Sequence, residues 1–194
     1  MREAVVERRT KETQIKLALN LDGGAYHVDT GCGFLNHMLE LFAAHGGFGL
    51  QVQATGDVDV DYHHTVEDVG IVLGQALRQA LGEMRGVVRY GQQLLPMDEA
   101  LLLAVVDVSG RAYLVYEAPM PAAKVGDFDT ELAEEFMQAL CRSAGLTLHL
   151  RLLAGHNCHH IIEAMFKATA RALRQAVRLD EQNIDKIPST KGVI

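Results

Sequence analysis

The sequence predicts an α+β fold made by internal duplication, in which a plan of strands, helix, strand, helix occurs twice. Three observations carry this. The pattern His-His-x-x-Glu occurs at 63–67 and again at 159–163, about half of the 194-residue chain apart. The stretch Leu21-Asp22-Gly23-Gly24-Ala25-Tyr26-His27-Val28 is echoed by Val108-Ser109-Gly110-Arg111-Ala112-Tyr113-Leu114-Val115. After each echo, strand-like composition gives way to apolar residues at helical spacing. The halves are placed at 1–87 and 88–187, with a tail at 188–194, forming one compact domain.

In the first half, Ile15, Leu17, Leu19 and Leu21 alternate with polar residues, the period of a half-buried strand. The turn at Gly23-Gly24 leads into a second short strand, so 21–28 reads as a hairpin. Residues 34–44 carry helical spacing and stop at His45-Gly46-Gly47, where glycine suits a C-cap. A strand at 50–55 and a long helix at 62–81 complete the half. The second half repeats this. Segment 100–108 is more continuously apolar, as for a strand buried on both faces or central, and 108–115 is again a hairpin signal. Helix 129–144 stops at Gly145, strand 146–152 follows, and helix 159–179 carries the second motif. Pro119 and Pro121 mark a loop without a twin.

With 48% hydrophobic residues and a mean hydropathy of +0.05, the chain can bury a real core. A formal charge of −7 and a pI near 5.7 argue against a nucleic-acid or anionic-membrane surface. No apolar run reaches membrane-spanning length, and the charged N-terminus does not read as a signal peptide. Cys32, Cys141 and Cys158 are odd in number and form no C-x-x-C. A cytoplasmic, reducing compartment is therefore the expectation.

The histidine motifs carry the chemistry. Residues four apart on a helix stand one above another, so His63 with Glu67, and His159 with Glu163, can each grip an ion. Adjacent histidines diverge by about 100°, which leaves His64 and His160 as spare imidazoles. Two copies across a pseudo-twofold could exchange these spares and hold two ions. The duplication adds His37 and Glu135, each on the helix preceding a motif helix. One ligand set is then His37, His64, His159 and Glu163; the other is His63, Glu67, Glu135 and His160. Imidazole and carboxylate without sulfur suit manganese, iron, cobalt, nickel or zinc, with positions left open for substrate. A lone helical histidine is usually a surface or core residue, but packing alone does not ask for this pattern twice. His27, His149 and His156 lack a partner pattern and read as structural, and Cys158 as a packing residue.

Four stretches, Phe34-Leu35-Asn36-His37-Met38-Leu39, Asp61-Tyr62-His63-His64-Thr65-Val66-Glu67-Asp68, Gly155-His156-Asn157-Cys158-His159-His160 and Ser189-Thr190-Lys191-Gly192-Val193, together closely resemble the imidazoleglycerol-phosphate dehydratase family. The resemblance covers essentially the whole chain. It implies a duplicated fold of the ribosomal-protein-S5-domain-2-like kind. It also implies conversion of imidazole glycerol phosphate to imidazole acetol phosphate in histidine biosynthesis, two manganese ions per site, and a 24-subunit shell with sites between subunits. Its metal sets fall on the two sets above, with His64, His160, Glu67 and Glu163 also counted as catalytic. Glu12 matches a substrate-contacting glutamate and is the first candidate for proton transfer, with Asp98 and Glu99 in reserve. Arg89 and Arg111 match substrate-binding arginines, and Ser189, Thr190 and Lys191 lie in a tail that closes on the phosphate. His45 and Lys167 match helix positions near the substrate. Where well-known members carry a histidine, this chain has Glu135, which adds a negative charge to that ion or removes a ligand. The rival readings are a two-metal hydrolase of a small phosphate or amide, and a metal-storing shell protein.

Overall fold

The computed structural model describes residues 2–194. The first half contains β1 (Glu3–Arg9), β2 (Thr13–Asn20), β3 (Tyr26–Asp29), α1 (Gly33–Gly46), β4 (Gly49–Gly56) and α2 (His63–Leu81). In the second half, β5 (Tyr90–Met97), β6 (Ala100–Asp107) and β7 (Tyr113–Glu117) precede a small ribbon of β8 (Lys124–Val125) and β9 (Phe128–Asp129). Then follow α3 (Leu132–Ala144), β10 (Thr147–Ala154) and α4 (Cys158–Val177). The expected duplication is present in full, and the proline loop expands into the β8–β9 ribbon.

Each half forms a four-stranded sheet, ordered β1-β2-β4-β3 in one and β5-β6-β10-β7 in the other. This corrects the hairpins expected at 21–28 and 108–115. β2 and β3 follow each other through a glycine turn but do not pair, because β4 lies between them, antiparallel to β2 and parallel to β3. β10 separates β6 from β7 in the same way. A turn's chemistry is local, whereas the neighbour of a strand is decided by where the following helix returns the chain. The true hairpins are β1–β2 and β5–β6. Their strands are in matching register: Arg9 faces Gln14 as Pro96 faces Leu101. Their turns, carrying Glu12 and Glu99, are therefore equivalent.

Alternation then sets the faces. Ile15, Leu17 and Leu19 of β2 are buried, as are Ala100, Leu102, Ala104 and Val106 of β6. The opposite face of β6, with Leu101, Leu103 and Val105, is half-buried rather than enclosed. Helices α2 and α4 cover the inner faces, and the halves meet helix to helix, α2 on α3 and α1 on α4. Phe136 of α3 and Phe166 of α4 stack with centroids 5.0 Å apart. The α2–α3 crossing is close enough to require glycine: a Cβ at Gly74 would stand 2.7 Å from the Leu140 carbonyl oxygen. No helix among the described residues is long and apolar enough to cross a membrane.

Candidate functional site

The α1–α4 contact assembles a histidine–carboxylate cluster from both halves. Helix α4 is started by Asn157, whose side chain accepts the backbone N–H groups of His159 (2.9 Å) and His160 (3.3 Å). Helical spacing then places His159, Glu163 and Lys167 in one column facing His37 on α1. His159 Nε2 lies 3.1 Å and His37 Nε2 3.5 Å from the same Glu163 oxygen, Oε2. The other oxygen pairs with the Lys167 ammonium. Ligand atoms of His37, His159 and Glu163 lie within 4.8 Å of one another, the one such group among the described residues. Phe34 packs edge-on against His159, at 5.3 Å between centroids, and fixes that ring from the apolar side.

Electrostatics agree with this geometry. Burial pushes the Glu163 carboxyl upward, but Lys167, His159 and His37 outweigh it and hold the group below the usual carboxylate range. His45, further along α1, is shifted down by burial and then by Lys167 and Arg171, so its ring favours the neutral form.

His64 and His160 stand outside the cluster within one chain. His160 Nδ1 bonds a Glu99 carboxylate oxygen at 2.6 Å. That hydrogen bond, with the nearby negative charge, raises the histidine's pKa. Glu99 falls to about 2, held down by His160 and then by backbone N–H groups. His64 Nδ1 bonds Asp57 at 2.9 Å, which raises its pKa as well. His63 and Glu67 are half-buried on α2 and Glu135 on α3; they do not join a group as tight as the first. Asp61 accepts the His63 backbone N–H at 2.7 Å.

Glu12 is exposed on the β1–β2 turn, its side chain free of any hydrogen bond or ion pair among the described residues. The turn itself is rigid. Thr10 Oγ1 accepts the backbone N–H groups of Glu12 and Thr13, and the Thr13 hydroxyl donates to the buried Asp68 at 2.5 Å. Arg8 donates to Asp68 as well, at 2.9 Å.

The basic residues form a separate cleft of about 760 Å³, lined by Arg89, Ser109, Arg111, Ser189, Thr190 and Lys191 among others. Asp107 holds Arg89 through two bonds of 2.7 and 3.2 Å and lies 3.8 Å from Arg111. Arg89 also donates to the Pro188 carbonyl at 2.8 Å, tying the tail to the cleft. Arg111 is 71% exposed and free to meet a ligand. The cleft and the cluster are far apart in one chain. The Arg89 backbone bonds Ala176 near the end of α4 (2.8 Å), whereas His159 opens that helix; at 1.5 Å per residue the two ends are about 25 Å apart.

Sequence reasoning missed Asp57 and Asp107, and gave Glu99 only a reserve role in proton transfer. An acidic residue in a loop or at a strand end has no periodic signal; only its neighbour in space reveals it. His27, His149 and His156 are exposed, not built into the core. Cys158 is buried, its sulfur against the Ala122 backbone, as expected of a packing residue.

A duplicated α+β chain with a histidine–carboxylate cluster between its halves and a basic cleft on one of them has donors that could hold a divalent metal and a small anion. The comparisons with known proteins specify the rest. Residues 30–173 match the model of the imidazoleglycerol-phosphate dehydratase family. The imidazoleglycerol-phosphate dehydratase of Desulforamulus reducens is 59% identical over 194 residues, covering 100% of this chain and 98% of that one. That of Pelobacter propionicus is 56% identical over 194 residues, covering 100% and 99%. The crystal structure of the Staphylococcus aureus enzyme superposes with a TM-score of 0.85 at 45% identity, over 92% of this chain and 99% of that one. The Pyrococcus furiosus structure, a complex with (S)-C348, gives 0.85 at 38% identity over 97% and 100%. The chain belongs to the imidazoleglycerol-phosphate dehydratase family, the hydro-lyases of histidine biosynthesis.

Proposed function

We propose that this chain dehydrates imidazole glycerol phosphate to imidazole acetol phosphate in the cytoplasm, at a site that holds two manganese ions and is completed by neighbouring copies. The observation that carries this reading is the separation of about 25 Å along α4 between the histidine cluster and the basic cleft. A three-carbon chain between an imidazole and a phosphate is far shorter than that. One copy's cleft must therefore serve another copy's cluster. A closed symmetric assembly meets that need, and the 24-subunit shell implied by the family resemblance is such an assembly.

The residues fit divalent transition metals: a tight group of imidazole and carboxylate donors without sulfur, and two spare imidazoles whose Nδ1 is already bonded. His37, His64, His159 and Glu163 would hold one ion, and His63, Glu67, Glu135 and His160 the other. Ions held by these residues would supply Lewis-acid charge that stabilises negative charge developing on the substrate's ring near neutral pH. Arg89, Arg111 and Lys191 bind the phosphate, with Ser189 and Thr190 donating beside them. Asp107 keeps the two arginine heads together before substrate arrives. The hydroxyl on the carbon next to the ring leaves as water, the following carbon loses its proton, and the enol becomes the ketone. Glu12, the unengaged carboxylate, moves the carbon-bound proton. Lys167 and the neutral His45 orient the substrate's chain, and the tail excludes water.

Stripping the metal, reloading with manganese and assaying dehydration of imidazole glycerol phosphate beside hydrolysis of simple phosphate esters and amides tests this reading. Turnover is expected only on the first substrate and only with metal, at two ions per site. His64→Ala and His160→Ala are expected to abolish turnover, lower metal content and weaken assembly. Normal activity with full metal in either variant refutes the ligand sets. Hydrolysis in place of dehydration would favour a two-metal hydrolase, and a large excess of metal per subunit a storage shell.

A further inference from the structure

The two spare histidines are each held through Nδ1 by a carboxylate, but these carboxylates come from different places in the repeat. In the second half the holder is Glu99, on the β5–β6 turn. It is anchored twice more, by the backbone N–H groups of Asn157 (2.8 Å) and His156 (3.2 Å), so it clamps the turn to the start of α4. The strand register makes Glu12 its counterpart in the first half. Glu12 does not take that role. There the holder is Asp57, in the loop between β4 and α2. The corresponding stretch of the second half, Ala154, Gly155, His156 and Asn157, contains no carboxylate.

We propose that Glu99 and Asp57 are a matched pair of positioning residues, each presenting Nε2 of one spare histidine to a metal, and that Asp57 relieves Glu12 of this duty. The inference rests on the two-metal reading above. An imidazole with Nδ1–H donated to a carboxylate has its lone pair on Nε2, in a fixed direction. Without that acceptor the ring can take the other tautomer or rotate away. Had the first half copied the second, Glu12 would be bonded to His64 and unable to move a proton. Glu12 stays free because the two halves hold their histidines from different loops. Glu99 takes both backbone N–H groups on Oε1 and His160 on Oε2, so a glutamine that kept the backbone bonds with its amide oxygen would turn its NH₂ to His160 Nδ1 and donate where the carboxylate accepts. Asp57 uses one oxygen, and its Oδ1 is enclosed without a partner among the described residues.

The test is manganese titration of the whole protein, reading free ion by electron paramagnetic resonance, for wild type, Glu99→Gln, Asp57→Asn, the double variant and Glu12→Gln, each checked by thermal melting. Glu99→Gln is expected to weaken one of the two ions by about 10- to 100-fold, and Asp57→Asn the other by a similar or smaller factor. The double variant weakens both, and Glu12→Gln loses turnover with both affinities intact. Wild-type affinities in either Glu99→Gln or Asp57→Asn overturn the proposal, as does an equal loss of both ions with a lowered melting temperature in each single variant. Should Glu99→Gln not fold, Asp57→Asn alone carries the same test. A wild-type protein that takes up no manganese and dehydrates nothing overturns the metal reading instead, so the two failures are distinguishable.

Discussion

In the second half His159 is bonded to Glu163, which also meets Lys167 and, across the interface, His37 of the first half. In the first half His63 and Glu67 carry the same spacing on α2, yet neither side chain has a bonding partner among the described residues, and only His64 is held. Both halves share one strand order, but what packs against each motif helix differs. Helix α4 meets α1, which offers His37. Helix α2 meets α3 at glycine distance, Gly70 against Phe136 and Ala139 and Gly74 against Leu140. Duplication copies a scaffold; each copy then acquires its own electrostatic partners.

The largest contrast is expected in metal-free stability. Glu163→Gln leaves the mostly buried Lys167 ammonium without its partner and should cost about 2–3 kcal/mol in denaturant unfolding. Glu67→Gln, with no partner to strand, should cost less than about 1 kcal/mol. Equal losses would show that the first half hides a comparable ion pair.

The next effect concerns the cleft that only the second half owns. Removing residues 189–194 takes away Lys191 and the Ser189 and Thr190 hydroxyls but leaves the Arg89–Asp107 pair in place. We expect KM to rise about tenfold, the loss of one charge-assisted contact, with metal content unchanged. An unchanged KM would count against the tail as part of the site.

A smaller effect separates the two held histidines by pH. His160 is raised above its ordinary 6.5, so its share of stability is full below that value and is lost as pH rises through the raised one. Glu99 is depressed from 4.5 to about 2, so its share is present above 4.5 and is lost as pH falls toward 2. In the metal-free protein Glu99→Gln should therefore cost most between about pH 4.5 and 6.5, with a difference that narrows at alkaline pH. Asp57→Asn should show a smaller pH-dependent difference, since Asp57 lacks the two backbone N–H groups that also hold Glu99. Urea midpoints across pH decide it; a flat difference for Glu99→Gln would remove the ionic part of the bond.

Much of this was legible in the chain itself. Helical spacing announced α1 to α4 to within a few residues, because a helix is satisfied by its own backbone and needs only one apolar stripe. The residue types of the two motifs were visible for the same reason: His159 and Glu163 sit one turn apart on any helix. β1 and β5 were not read as strands at all, because their charged or mixed surfaces break the apolar alternation. The glycine turns after β2 and β6 were read correctly as turns and wrongly as hairpins, since no local feature says that β4 and β10 will slip in between.

Sequence by itself determined the duplication, the alternation of strand and helix, and a pair of motifs that set imidazole and carboxylate one helical turn apart. These follow from periodicities a few residues long. Only the tertiary structure decided the order of strands, the meeting of His37 with Glu163, the choice of Glu99 and Asp57 as holders, and the distance between cluster and cleft. Each of those joins residues far apart in the chain, whose encounter depends on how the two halves pack and where each turn lands.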